Sequence, residues 1–401
     1  MDYKALVQKY DTPLYVYNFD IVAQNFMQIK NAFKARKSLI AYAVKANSNM
    51  SLLKHLANLG SGADCVSIGE VKRALLAGIP PYKIIFSGVG KRDDEIAEAL
   101  EKDILFINVE SEAELGRIED IAKSMGKVAR ISIRVNPNID PKTHPYISTG
   151  LSENKFGVEI DVAKKLYLQA KNSPYLQPVG IHFHIGSQLT ELEPIKEASE
   201  KVADLVRALQ KIDIDIKFFD VGGGLGIRYQ DEKTIEPYDY AQAILSTLSG
   251  TNMTIVCEPG RFIVGNAGVF LTKVLYEKRT KSKRFIIVDG AMNDLLRPSL
   301  YNAYHEVVVV GKENERGSKA DVVGPVCESG DFLAKERELP PTEHGDIVLV
   351  KSAGAYGFVM SSNYNTRPRP AEVALEGGKD RLIRERETFE YIIEKEIRFM
   401  V

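Results

Sequence analysis

The sequence predicts an α/β protein: a (β/α)8 TIM-like barrel joined to a C-terminal, mostly antiparallel β domain. Two observations carry this prediction. Eight short apolar runs, separated by stretches with helical periodicity, recur over roughly 240 residues, the size of one such barrel. After about residue 265 the helical stretches give out, and short β runs bounded by turn residues follow one another.

The eight runs are 38–44, 62–66, 83–87, 104–108, 129–135, 179–185, 217–221 and 254–257. Each is apolar or β-branched and ends in turn-forming residues, as a strand covered on both faces should be. Helical patterns fill the gaps. Residues 67–77 open on Ser67, a good N-cap, and carry apolar positions at helical spacing. In 110–125, Ala113, Leu115, Ile118, Ile121 and Ala122 roughly keep a 3.6-residue period. A doubly wound open sheet also reads as alternating β and α, and the count of eight decides for the barrel. The later β runs are 285–290, 306–311, 320–324 and 346–350. The strand-like segment 13–17 precedes the first barrel unit and is expected to pair into the β domain. The expected division is therefore 26–264 for the barrel, and 1–25 with 265–401 for the β domain.

Composition narrows the function. The 401 residues are 44% hydrophobic and 27% charged, an ordinary globular balance. A formal net charge of −1 gives no support for binding nucleic acid or an anionic membrane. The opening Met1-Asp2-Tyr3-Lys4 shows no signal-peptide pattern, and no apolar stretch approaches a membrane span. The three cysteines, Cys65, Cys257 and Cys327, are far apart and fit no metal-ligand spacing. A reducing, cytoplasmic setting and no metal are expected.

Barrel active sites form at the C-terminal strand ends, so the polar residues there matter most. They are Lys45, Asp64, Ser87, Arg134, His182, His184, the Gly222-Gly223-Gly224 turn and Glu258. Lys45 closes the first run, where a desolvated amine would attack an aldehyde and form a Schiff base. A solvated strand-end lysine is the plain alternative, as a structural ion pair is for Arg134 and a core histidine for His184. Gly222 to Gly226 follow strand seven directly, and Glu258-Pro259-Gly260-Arg261 follow strand eight, where barrels often hold phosphate. The glycine spacing is not the dinucleotide fingerprint. An aldehyde-accepting lysine and a phosphate cradle point to pyridoxal 5′-phosphate. Glu258 would then face the pyridine nitrogen and keep it protonated, with His184 stacked on the ring.

These residues stand in motifs that resemble the group III pyridoxal-phosphate decarboxylases, which share a fold with alanine racemase. The resemblance runs essentially end to end. It is carried by Ala43-Val44-Lys45-Ala46-Asn47, Gly62-Ala63-Asp64, His182-Phe183-His184-Ile185-Gly186-Ser187-Gln188 and Gly222-Gly223-Gly224-Leu225-Gly226. It continues through Glu258-Pro259-Gly260-Arg261, Arg297-Pro298-Ser299-Leu300-Tyr301, Cys327-Glu328-Ser329-Gly330-Asp331 and Gly354-Ala355-Tyr356-Gly357.

The resemblance implies that Lys45 holds the cofactor, and that Ser187, Gly224, Gly260 and Arg261 hold its phosphate. Tyr356 would reach cofactor and substrate; Arg261, Arg297, Tyr301 and Glu328 would bind the substrate. Cys327 is the candidate acid that returns a proton to carbon, since an unperturbed thiol in general is largely protonated at neutral pH. A homodimer with shared sites is implied, Cys327-Glu328 crossing from the partner. Arg297 asks for a distal carboxylate, so the expected reaction is decarboxylation of meso-2,6-diaminopimelate to L-lysine. A carboxynorspermidine-type decarboxylase is the nearest rival. Glu258 argues against a racemase, and the β domain against a cofactor carrier. The segment 140–157 reads as a lid, with His144 and Lys155 as candidate substrate contacts.

Overall fold

The computed structural model describes residues 1–140 and 155–400. Among them eight parallel strands close a barrel. They are β2 (Ser38–Ala43), β3 (Gly62–Cys65), β4 (Ile84–Phe86), β5 (Phe106–Val109), β6 (Ala129–Arg134), β7 (Leu176–His182), β8 (Phe218–Asp220) and β9 (Thr254–Cys257). Each matches one of the eight apolar runs to within a few residues. Closure comes from β9 pairing back onto β2, with Ser38, Leu39 and Ile40 opposite Ile255, Val256 and Cys257. The helices begin where their caps dictate. Ser67 accepts from the Glu70 N–H at 3.2 Å at the start of Ile68–Leu76, and Ser111 accepts from Glu114 at the start of Glu112–Ser124.

The two-residue repeat of a strand builds the barrel interior in layers. Ala41, Ile85, Phe106 and Val256 pack in one apolar cluster, and the Phe218 ring lies 5.5 Å from that of Phe106. Two residues farther along the same strand faces come Ala43, Ser87, Asn108, Glu258 and Asp220. An apolar plug thus carries a polar layer toward the C-terminal strand ends.

The second sheet has nine strands, ordered β14-β13-β11-β10-β1-β16-β17, with β15 on β10 and β12 on β15. Here β1 is Leu14–Asn18, β10 Gly268–Arg279, β11 Arg284–Val288, β12 Val307–Val309, β13 Ser318–Val323, β14 Phe332–Leu339, β15 Ile347–Val350, β16 Ala371–Glu376 and β17 Lys379–Arg384. All its pairings are antiparallel except β1 with β16 and β11 with β13. As expected, the segment at 13–17 joins this sheet, flanked by β10 and β16. The chain divides into two compact units: Met1–Val22 with Arg228–Glu232 and Val264–Val401, and Ala23–Ile227 with Lys233–Ile263. No described helix is long and apolar enough to cross a membrane.

Four strands escaped the sequence reading. β10, the longest, follows the barrel's last residues without a break, and β14 is heavily charged along Phe332–Leu339. The β16–β17 hairpin turns on Gly377-Gly378, both with positive φ, a diglycine signal that was legible.

Candidate active site

Around the barrel's C-terminal end the structure gathers the polar residues expected there, and it corrects the argument for Lys45. β2 stops at Ala43, and a 3-10 turn, Val44–Ala46, follows. Val44 and Ala46 are the buried positions of that turn, and Lys45 between them is exposed. The expected desolvated amine is therefore not found, because Lys45 stands on the exposed position of the turn rather than on the strand. Its positive charge still reaches inward: it opposes the rise that burial imposes on Asp64 and Glu70, helps to lower Glu258 and helps to keep His184 neutral. A second adjustment concerns His184, which follows β7 rather than lying on it.

His182 ends β7, Asp220 ends β8 and Glu258 follows β9, and one polar atom from each lies within 4.8 Å of the others. All three are buried. His182 Nε2 is 3.3 Å from Glu258 Oε2. Burial alone would push the Glu258 carboxyl up. His182, the neighbouring Asp220 and the Lys45 charge outweigh that and hold it well below the usual carboxylate range. Burial and the Glu258 charge push Asp220 the other way, far up. Asp64 is raised by burial and by the Glu258 charge. Among the described residues Glu258 Oε1 has no hydrogen-bond partner although it is buried, so the site presents a charged acceptor that needs a donor.

The glycines after β8 are fixed by close backbone approach. A Cβ on Gly222 would come within 2.9 Å of both Cβ and Nδ1 of His184, and one on Gly223 within 2.2 Å of the Glu258 carbonyl oxygen. On Gly224, whose φ is +117°, it would meet the Gly186 carbonyl oxygen at 2.4 Å. The loops after β7, β8 and β9 are thereby drawn together. Gly223 N–H donates to His184 Nδ1 at 3.3 Å, and the Glu258 N–H donates to the Gly222 carbonyl at 2.7 Å. Burial, then the Lys45 and Arg134 charges, push His184 far down, so the ring is neutral. With Nδ1 accepting, its proton stands on Nε2.

Across the same loops Arg261 Nε and Nη2 donate to Ser187 Oγ at 3.3 and 3.0 Å. Gly260 packs closely against Ala43 and Ala46, where a Cβ would meet their methyl groups at 3.1 and 3.0 Å. A guanidinium and a hydroxyl beside the glycine turn that follows β8 suit a phosphate. Arg134 turns out to be ion-paired: its Nη1 is 2.8 Å from Glu110 Oε1, both side chains are buried, and the guanidinium covers the Phe156 ring. Gly157 N–H also donates to Glu110, so this pair anchors the chain beyond the loop. Of the segment 140–157, residues 141–154, His144 among them, lie outside the described residues, and Lys155 lies over Phe156.

The remaining expected residues belong to the β unit. Arg297 opens the short helix Arg297–Tyr301 and is buried. Its Nη1 donates to His305 Nε2 at 2.9 Å, and its guanidinium lies 4.6 Å from the centre of the Tyr229 ring. His305 Nδ1 is 2.8 Å from the Lys351 carbonyl, which fixes the proton on Nδ1. Tyr301 and Tyr356 are half-buried, the latter with φ +55°. Cys327 and Glu328 are exposed; Cys327 N–H donates to Asn365 Oδ1, and Glu328 is hydrogen-bonded to Tyr364.

A buried carboxylate awaiting a donor, an amine at the neighbouring strand end and a phosphate cradle define a barrel enzyme of pyridoxal phosphate. Residues 20–265 match the family model described as the pyridoxal-binding domain of pyridoxal-dependent decarboxylases, and the chain belongs to that family. It is 62% identical to a diaminopimelate decarboxylase of Campylobacter jejuni, covering all of both chains. It is 58% identical to one from Helicobacter pylori strain J99, over 99% of this chain and 98% of that one. Among solved structures, diaminopimelate decarboxylase from H. pylori complexed with L-lysine superposes with a TM-score of 0.97, at 57% identity and full coverage of both. The M. jannaschii enzyme in co-complex with L-lysine gives 0.93 at 40% identity, covering 98% of this chain and 93% of that one. The cofactor is pyridoxal 5′-phosphate.

Sequence reading missed Asp220, Glu110, Tyr229 and His305. Asp220 had a signal, since an aspartate inside Phe218–Asp220 is a charge in an otherwise apolar strand. The other three matter only through the partners that folding gives them.

Proposed function

We propose that the chain decarboxylates meso-2,6-diaminopimelate at its D-centre, giving L-lysine and carbon dioxide. The carrying observation is Glu258, buried, ionised and presenting Oε1 to a donor: it matches a protonated pyridine nitrogen, which a decarboxylase needs and a racemase avoids. When bound, pyridoxal phosphate takes up the electron pair left by the departing carboxylate. Lys45 supplies the amine that engages its aldehyde. Ser187, Gly224, Gly260 and Arg261 hold the phosphate, Gly222 and Gly223 shape the turn with their N–H groups on Asp220 and His184, Asp64 stands in the polar layer and neutral His184 lies against the ring. Arg297, braced by His305 and Tyr229, is assigned the distal carboxylate, and Glu328 the distal ammonium. Tyr301 and Tyr356 complete the substrate contacts. The Cys327 thiol returns the proton to carbon. We infer a cytoplasmic homodimer, in which the exposed Cys327-Glu328 segment serves the partner's site.

The test is release of carbon dioxide and lysine from meso-diaminopimelate with pyridoxal phosphate added. Lysine formation is expected, and Lys45→Ala should lose both turnover and the visible absorbance of the bound cofactor. A chain that binds the cofactor but releases nothing would keep the chemistry and discard the substrate, with carboxynorspermidine tried next.

A further inference from the structure

The polar layer of the barrel holds more carboxylates than it has charges to match. Asp64, Asp220 and Glu258 stand there together, each at most 6% exposed. Six polar atoms of this layer lack a hydrogen-bond partner among the described residues: Asp64 Oδ1, Asn108 Oδ1, Ser132 Oγ, His182 Nδ1, Asp220 Oδ2 and Glu258 Oε1, and His182 Nε2 has only its 3.3 Å contact with Glu258. Two ionised carboxylates as close as Asp220 and Glu258, whose oxygens lie within 4.8 Å, repel too strongly to coexist, so one of that pair keeps a proton.

The geometry says which. Asp220 Oδ1 accepts from the Gly222 N–H at 2.9 Å. Asp220 Oδ2 has no donor near it among the described residues, and an anionic oxygen there would be both buried and unsatisfied. Glu258, by contrast, has His182 Nε2 at 3.3 Å from one oxygen and the Lys45 charge in reach. The negative charge therefore belongs on Glu258. We propose that Asp220 is held as the neutral acid and donates its Oδ2 proton to Glu258, making it a positioning residue that keeps Glu258 charged and aimed at the pyridine nitrogen. The opposite displacements of the two carboxyls agree with this. So do the other groups that face the pair: Asp64, Cys257 and Tyr240 add no positive charge that would stabilise a second anion.

The aim at the nitrogen rests on the proposed role of Glu258, whereas the place of the proton does not, and two measurements separate them. Infrared difference spectra of the holoenzyme, taken at least about one unit above pH 7 so that the acids raised to about 7, Glu70 and Asp294, are largely ionised, read protonated carboxyls directly. A protonated-carboxyl band present in the wild type and lost in Asp220→Asn is expected. A band that survives in Asp220→Asn, or is lost instead in Glu258→Gln, overturns the proposal. So does one equivalent of a divalent metal in the purified protein that Asp220→Asn removes.

Nitrogen-15 NMR of labelled pyridoxal phosphate, with absorbance titration of its affinity, reads the second half. Asp220→Asn keeps a neutral donor and should leave the nitrogen protonated and the affinity within about threefold, while Asp220→Leu should lose about tenfold or more. Equal losses in both variants, with unchanged melting temperatures, would overturn the donor role. Nitrogen protonation unchanged in Glu258→Gln would remove Glu258 from its assignment and with it the positioning role, while the infrared result still stands on its own.

Discussion

Gly223→Ala tests whether the three loops at the barrel mouth are as rigid as they look. The added Cβ would stand 2.2 Å from the Glu258 carbonyl oxygen and 3.1 Å from its carbon. An ordinary contact starts near 3.4 Å, so about 1 Å has to be gained, and both partners are backbone. Neither strand end yields easily. Val221 N–H is bonded to the Val256 carbonyl at 3.0 Å, and Glu258 N–H to Gly222 at 2.7 Å. Overpacking of this kind costs about 1–3 kcal/mol, and a shift of about 1 Å at a reacting group removes roughly a hundredfold of rate. Gly223 has no positive φ in the structure, so space alone is at issue. We expect weaker pyridoxal phosphate binding by absorbance titration, a lowered Tm and a loss in kcat/KM. Gly116→Ala is the control: it lies in the helix Glu112–Ser124, its Cβ meets nothing within 4 Å, and it should be neutral or stabilising. Wild-type cofactor affinity and kcat/KM in Gly223→Ala would refute the rigid-loop argument.

Three further outcomes are expected. Arg297→Ala should lower kcat/KM for diaminopimelate by about tenfold to a hundredfold, through KM, with cofactor loading intact; wild-type kinetics would remove Arg297 from the substrate. Lys91→Met should destabilise the barrel by about 3–5 kcal/mol in urea melts, because the buried ammonium bridges the Gly88 and Asn108 carbonyls and Glu114, and Lys91→Met with Glu114→Gln should recover part of it. Burial raises Asp294 to about 7, so the folded chain holds the extra proton between about pH 4 and pH 7 and loses stability as pH rises through that window. Asp294→Asn should remove up to about 4 kcal/mol of that slope, read from urea midpoints at several pH values; an unchanged slope would refute it.

The barrel was legible because strand burial writes itself into short apolar runs, and the site was legible because polar residues stand at the ends of those runs. Glu258 after Thr254–Cys257 and the glycines after Phe218–Asp220 needed no coordinates to be noticed. The β unit was read less completely. β14 carries four consecutive charges, Lys335 to Glu338, and a strand with one face in solvent leaves a weaker apolar signature.

By itself, then, the sequence determined which residues occupy strand ends and which chemistry they can offer, because strand periodicity and residue type are local properties. Tertiary structure alone decided how those groups are charged and held. The 3-10 turn that exposes Lys45 depends on which of its neighbours are buried. The Glu110 partner that claims Arg134 comes from another strand's loop. Three carboxyls meet in the barrel only after eight strands close, and only then does proximity in a low-dielectric interior force Asp220 and Glu258 into opposite protonation states.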